Sequence, residues 1–223
     1  MTVAGLAAIR EADVIVHDRL GALECLSEAK PDAEIINVGK IPRGEFTPQE
    51  EINAILVDRA RKGLRVTRLK GGDNFVFGRG GEEVLACQAA GVPVRVVPGV
   101  TSAVSVPALS GIPVTHRGLT QGFVVVSGHV PPQDPRSQVN WAALAQSHLT
   151  LVVLMGVQNL PAIAAELVAQ GMAPDTPAAV IADGTTPEEV TLRAPLSQVA
   201  DAAADIRPPA IVVVGDVAAL EMS

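Results

Sequence analysis

Four short runs rich in valine, isoleucine and leucine, at residues 14–17, 35–38, 65–69 and 94–97, recur through the first half of the chain, with helical patterns at 2–11, 47–62 and 82–91. Strands separated by helices cannot close as hairpins. They line up side by side through crossovers, which makes neighbouring strands parallel. The second half repeats the theme, with strand patterns at 123–127, 150–154, 178–182 and 211–214, and helical patterns at 101–109, 141–146, 159–171 and 196–205. A further strand at 189–193 leaves an antiparallel course open. Thr2 is a candidate N-cap, Asn159 another, and Thr47-Pro48-Gln49-Glu50 has the spacing of a capping box. The fold class expected is therefore α/β, with largely parallel sheets. A change of character around residues 111–118 puts a boundary at Gly118, giving two α/β domains, 1–118 and 119–223, with a cleft between them.

Composition narrows the function classes. The hydrophobic fraction is 48% but only 2% of residues are aromatic, so alanine, valine and leucine must fill the core. A net charge of −7 opposes general nucleic-acid binding, which needs cations to neutralise phosphates. Apolar runs are of strand length and no signal peptide is evident, so neither a membrane span nor export is expected, and the location expected is cytoplasmic. Cys25 and Cys87 read as small apolar fillers, and the four histidines lack ligand spacing, so no metal is expected.

The most informative stretch is RLKGGDNFVFGRGGEE, residues 68–83. Gly71 and Gly72 ahead of Asp73 let backbone approach a ligand beside a carboxylate acceptor, and Arg79 stands between glycines before a helix that starts near Glu82. In open α/β sheets ligands bind beyond the carboxyl ends of the strands. Asp18, Lys40, Gly71-Gly72-Asp73 and Pro98-Gly99 all follow strand patterns, as do Met155-Gly156 and Asp183-Gly184. Competing motifs are absent: there is no G-x-x-x-x-G-K-[ST], no dinucleotide fingerprint around Gly78-Arg79-Gly80, and no G-x-S-x-G around Ser102 or Ser105. His17 and Asp18 are excluded as a dyad because strand neighbours face opposite ways.

KGGDNFVFGRGGEE closely resembles the signature of the uroporphyrinogen-III C-methyltransferases, within the tetrapyrrole methylase family of S-adenosylmethionine (SAM) enzymes. VPGVTSAVSVPALSGIPVTHRG, MGVQNLP and an early DRL match as well, so the likeness runs from about Gly5 to Leu220. The resemblance implies two domains that hold folded SAM between them, with Gly71, Gly72, Asp73, Val76, Thr101, Ser102, Met155 and Gly184 on the cofactor and S-adenosylhomocysteine as product. It also implies Asp18 as proton acceptor and Lys40 as proton donor. The implied substrate is a tetrapyrrole with eight carboxylates, for which Arg79, Arg117, His116 and Lys70 are the candidate partners, with Arg43 a surface alternative. The implied product is precorrin-2, for sirohaem or cobalamin, and the implied assembly is a homodimer.

Two departures from the family pattern carry expectations of their own. Asn74 replaces the usual proline, which should loosen the turn without removing chemistry. Family members also begin with a strand and a glycine- and proline-rich loop ahead of the helix that starts here near Thr2, so the first sheet is expected to show an unpaired edge. The rival readings are a methylase acting on another precorrin and a non-catalytic or impaired SAM- or tetrapyrrole-binding homologue.

Overall fold

The buried run Val14-Ile15-Val16-His17 becomes β1 (Val14–His17), the centre of a three-stranded parallel sheet. It lies between β2 (Glu34–Asn37) and β3 (Val66–Leu69), with Val14 opposite both Glu34 and Val66. The computed structural model describes residues 1–39 and 47–222. Lys40 and Arg43 lie outside the described residues.

Among the described residues, three α-helices accompany this sheet. In α1 (Val3–Glu11) the Thr2 hydroxyl accepts from Gly5 N at 3.2 Å, the cap expected of it. In α2 (Gln49–Arg61) the capping box does not form: Pro48 is the N-cap residue and no side chain caps the helix. Glu50 and Glu51 still sit in its first turn, where the helix dipole favours negative charge. The third, α3 (Gly80–Ala89), starts two residues earlier than the sequence suggests, directly after Arg79. One face of the sheet packs Val14, Val16, Val38, Ile52, Leu56 and Cys87, and the other Ile9, Ala12, Ile15 and Leu69.

The strand expected at residues 94–97 is not in a ladder. A strand needs a neighbour to hydrogen-bond, and among the described residues none lies between this run and β3. An open groove of about 780 Å³ separates them, lined by Val66 and Leu69 on one side and by Val94 and Val96 on the other. Val94 and Val96 are accordingly exposed. Within the sheet β3 pairs with β1 alone and is an edge strand.

The chain divides into two compact units, Met1–Thr101 and Ser102–Ser223. Gly118 therefore falls inside the second unit, and α4 (Ser102–Leu109) belongs there, packed against strands of the second sheet. Those strands are β4 (Phe123–Ser127), β5 (Thr150–Leu154), β6 (Pro177–Ala182), β7 (Val190–Pro195) and β8 (Ala210–Val214), in the order β4-β5-β8-β6-β7. Only β4 and β5 pair in parallel; β8 runs antiparallel to both β5 and β6, and β7 antiparallel to β6. The expectation of largely parallel sheets thus holds for the first sheet and fails for the second. The closing strand β8 inserts between two strands that run the opposite way, a pairing that local sequence does not encode.

Helices α5 (Trp141–Ala145), α6 (Leu160–Ala169) and α7 (Leu196–Ala202) cover this sheet around Trp141, Val153, Ile163, Leu167, Val180 and Val212. Asn159 stands at the N-cap position of α6 as expected, but its side chain makes no cap bond: the amide donates to Gly128 O at 2.7 Å. Among the described residues no helix is long and apolar enough to cross a membrane.

One surface group ties the first sheet together and sets an acid limit. Asp13, just ahead of β1, accepts from Lys30 Nζ at 2.6 Å and from Arg65 N at 2.8 Å. The Lys30 bond, then the Arg65 amide, hold its carboxyl below the usual carboxylate range. A depressed folded-state pKa contributes stability that is complete above the unfolded value and lost as pH falls through the folded one. Folding stability should therefore drop as pH falls below about 4. Asp13→Asn should flatten that part of a denaturation-versus-pH curve, and an unchanged slope would rule the group out.

Candidate active site

Because β1 and β3 are parallel, the residues that leave their carboxyl ends share one edge of the first sheet. Asp18 leaves β1. Its Oδ1 accepts from Leu20 N at 3.0 Å, an Asx turn, and its Oδ2 accepts from Arg68 Nη2 at 3.2 Å. Asp18 keeps 27% side-chain exposure, so it is held in place yet reachable. His17 turns away: its Nδ1 meets the Asp18 carbonyl oxygen at 3.0 Å, not the carboxylate, as the exclusion of a dyad requires.

Arg68 belongs to β3 and is nearly buried. Its Nη1 donates to Leu69 O at 2.7 Å and Val16 O at 3.3 Å, and its Nε to Glu83 Oε1 at 3.1 Å. The same oxygen of Glu83, a buried residue of α3, accepts from Lys70 Nζ at 3.0 Å and Gln49 Nε2 at 3.2 Å. Burial, then the neighbouring Arg68 charge, push the Lys70 ammonium below its usual range, with Glu83 opposing. With 7% exposure and a buried partner, Lys70 would have to leave Glu83 to meet a substrate carboxylate. Neither Arg68 nor Glu83 was singled out from sequence. The available signal was the spacing: residues 68 and 70 lie two apart at a strand end and share a face, so two cations enter one interior together and need an anion.

The glycine-rich loop follows. A Cβ on Gly71 would run into the Leu20 carbonyl oxygen, and one on Gly99 into the carbonyl oxygen of Gly72, so these backbones touch at distances that no other residue allows. Asp73 clamps the arrangement, with Oδ1 accepting from Phe75 N at 2.9 Å and Oδ2 from Gly99 N at 3.0 Å. Asn74 tightens the turn instead of loosening it: its side-chain amide donates to Val97 O at 2.8 Å, a bond that proline cannot make. Phe75 and Phe77 are left exposed on either side of Val76.

Arg79 adopts a left-handed backbone at φ 56° and forms a double hydrogen bond to Glu82, at 2.8 and 2.7 Å. That neighbour raises the Arg79 pKa, and a substrate carboxylate would compete with it. In the second unit, Ser102 opens α4, directly after Thr101. Further on, Arg117 is exposed and enters no ion pair among the described residues, while His116 Nδ1 is buried without a hydrogen-bond partner. Because β5 and β6 both run antiparallel to β8, their carboxyl ends share an edge. Met155 and Asp183 leave those ends with φ of 57° and 47°, and Met155 is 51% exposed. Gly184 follows, with a virtual Cβ 2.5 Å from Val106 Cγ1. Among the described residues no cluster of His, Cys, Asp or Glu assembles as a metal site.

A family model described as tetrapyrrole (corrin/porphyrin) methylases matches residues 1–200. The chain belongs to this family. Its methylase relatives include the uroporphyrinogen-III C-methyltransferase of Methanocaldococcus jannaschii, 45% identical over 220 residues, covering 97% of this chain and 90% of that protein. The siroheme synthase of Tolumonas auensis is 45% identical over 220 residues, 99% of this chain but 47% of that protein. The chain thus spans about half the length of the siroheme synthases it matches. Among solved methylases, uroporphyrin-III C-methyl transferase from Thermus thermophilus, complexed with S-adenyl homocysteine, aligns with a TM-score of 0.80 at 41% identity, covering 97% of this chain and 91% of that one.

Proposed function

We propose that this chain is a SAM-dependent C-methyltransferase that methylates uroporphyrinogen III at two ring carbons, giving precorrin-2, with Asp18 as the base. The observation that carries the reading is the 45% identity spanning 90% of the archaeal uroporphyrinogen-III C-methyltransferase. SAM supplies a methyl group already activated on a sulfonium, so the protein's task is positioning and proton removal. In this reading Asp18, fixed on one oxygen by Leu20 N and on the other by Arg68, accepts the proton that the tetrapyrrole sheds from a neighbouring position once a fully substituted ring carbon has gained the methyl group.

The close-packed backbones of Gly71, Gly72 and Gly99 fit a nucleoside that must come against main chain, and Asp73 keeps acceptor lone pairs for ribose or amino groups. In this reading Val76, Thr101, Ser102, Met155 and Gly184 complete the contacts to SAM. Arg79, Arg117 and His116 meet substrate carboxylates, Lys40 donates a proton, and the enzyme works as a cytoplasmic homodimer.

The test is anaerobic incubation of the chain with SAM and enzymatically generated uroporphyrinogen III. Release of S-adenosylhomocysteine and a product heavier by two methyl groups is expected. Turnover only with a different precorrin would redirect the substrate assignment, and SAM binding without turnover would support the non-catalytic reading.

A further inference from the structure

We propose that Glu83 is a positioning residue for the reaction: it fixes the Arg68 guanidinium, and through Arg68 it orients the Asp18 carboxylate. The proposal rests on the reading of Asp18 as base. Glu83 touches neither Asp18 nor the edge where substrate would lie, and what it does is set by its bonds. One carboxylate oxygen collects Arg68 Nε, Lys70 Nζ and Gln49 Nε2 within 3.2 Å, from β3, from the residue after it and from the start of α2. With Nε taken by Glu83 and Nη1 by two strand carbonyls, the guanidinium plane has no freedom left, and Nη2 is aimed at Asp18 Oδ2. Leu20 N fixes the other oxygen of Asp18. The carboxylate is therefore left with one orientation, set from the far end by a residue of α3.

The charges make the same connection. The groups that face Asp18 from the neighbouring elements, among the described residues, are Arg68 on β3, Lys70 after it, and Glu83 on α3, with His17 and Arg19 adjacent in the chain. Two cations and two anions balance in a poorly hydrated space. Removing the Glu83 carboxylate frees Arg68 Nε and deprives Arg68 and Lys70 of their shared anion, so the guanidinium no longer holds a single orientation toward Asp18. A purely structural ion pair would have no such reach: apolar residues of similar volume commonly replace buried pairs without loss of stability.

The test compares Glu83→Gln and Arg68→Lys with the parent chain. Methyl transfer from SAM to uroporphyrinogen III is followed with kcat, KM for SAM and Tm determined for each chain, and with Asp18→Asn as the reference for loss of the base. For Glu83→Gln the expected result is a kcat lower by about 10-fold or more with KM for SAM held within about twofold, a split that a general loss of structure would not give. Arg68→Lys keeps the charge balance, but an ammonium cannot span Glu83 and Asp18 as a guanidinium does, so kcat should fall similarly if Glu83→Gln does not fold. A folded Glu83→Gln with parental kcat overturns the proposal, as does parental kcat in Arg68→Lys. Should Asp18→Asn itself retain full activity, the base reading falls and takes this proposal with it. An inactive Asp18→Asn beside an unaffected Glu83→Gln removes this proposal alone.

Discussion

Asp18→Ala is expected to lower kcat by about 10²–10³-fold while SAM affinity stays within about twofold of the parent. The size follows from the one task assigned to the group. The methyl donor is activated before it binds, so the carboxylate contributes proton removal and the local charge balance, not the driving force of transfer. SAM affinity is preserved because Asp18 hydrogen-bonds Leu20 N and Arg68, whereas the clamp on the glycine-rich loop is Asp73. The fold should survive, since Asp18 is 27% exposed and Arg68 keeps Glu83 and two strand carbonyls as partners without it. Asp18→Asn sharpens the result: the amide keeps the shape, its single oxygen can accept from Leu20 N or Arg68 but not from both, and it cannot take a proton at neutral pH. Both variants should be comparably slow in S-adenosylhomocysteine release under saturating SAM. A fast Asn variant beside a slow Ala variant would assign Asp18 to orientation, and two fast variants would place the base elsewhere.

What the sequence made legible was whatever local pattern encodes. The apolar run 14–17 is β1, Thr2 caps α1, and the glycines of 71–72 and 99 stand where backbones touch. The misses share one cause. The capping box at Thr47 has the right spacing, yet the cap falls on Pro48. Asn159 stands at the N-cap of α6, yet its side chain bonds Gly128 across the fold in place of the first helical turn. Residues 94–97 have strand composition but no neighbour to pair with, and β8 enters the second sheet against the expected direction. Each outcome depends on a partner distant in sequence, which propensity does not see. The site divides the same way. Asp18 and Asp73 were visible because they follow strand patterns beside glycines. Glu83 looked like an ordinary first-turn acid of a helix, and only the convergence of Arg68, Lys70 and Gln49 gives it a role.

Gly71→Ala should be among the most damaging single-methyl changes in the first unit. The added Cβ would overlap the Leu20 carbonyl oxygen and lie 2.7 Å from its carbonyl carbon, backbone that cannot rotate away. The loop after β3 or the loop after β1 must move, and overpacking of this kind costs about 1–3 kcal/mol. Activity should suffer more than stability. Leu20 N holds Asp18 Oδ1, so displacing Leu20 disturbs the base, while displacing residues 71–73 disturbs the proposed SAM contacts. A fall in kcat/KM of about 100-fold or more is expected, since misplacement by about 1 Å can cost that much. Gly81→Ala is the matched control: the same methyl is added within the same motif, but on α3, where nothing lies within 4 Å of the new Cβ. There alanine should stabilise the chain by about 0.5–1 kcal/mol, because glycine inside a helix loses more backbone freedom on folding. Denaturant titrations and methyl-transfer rates on the two variants decide the matter. A Gly71→Ala chain with parental stability and rate would mean that the loops yield freely, and the close approach of Gly71 to Leu20 would then have no part in building the site.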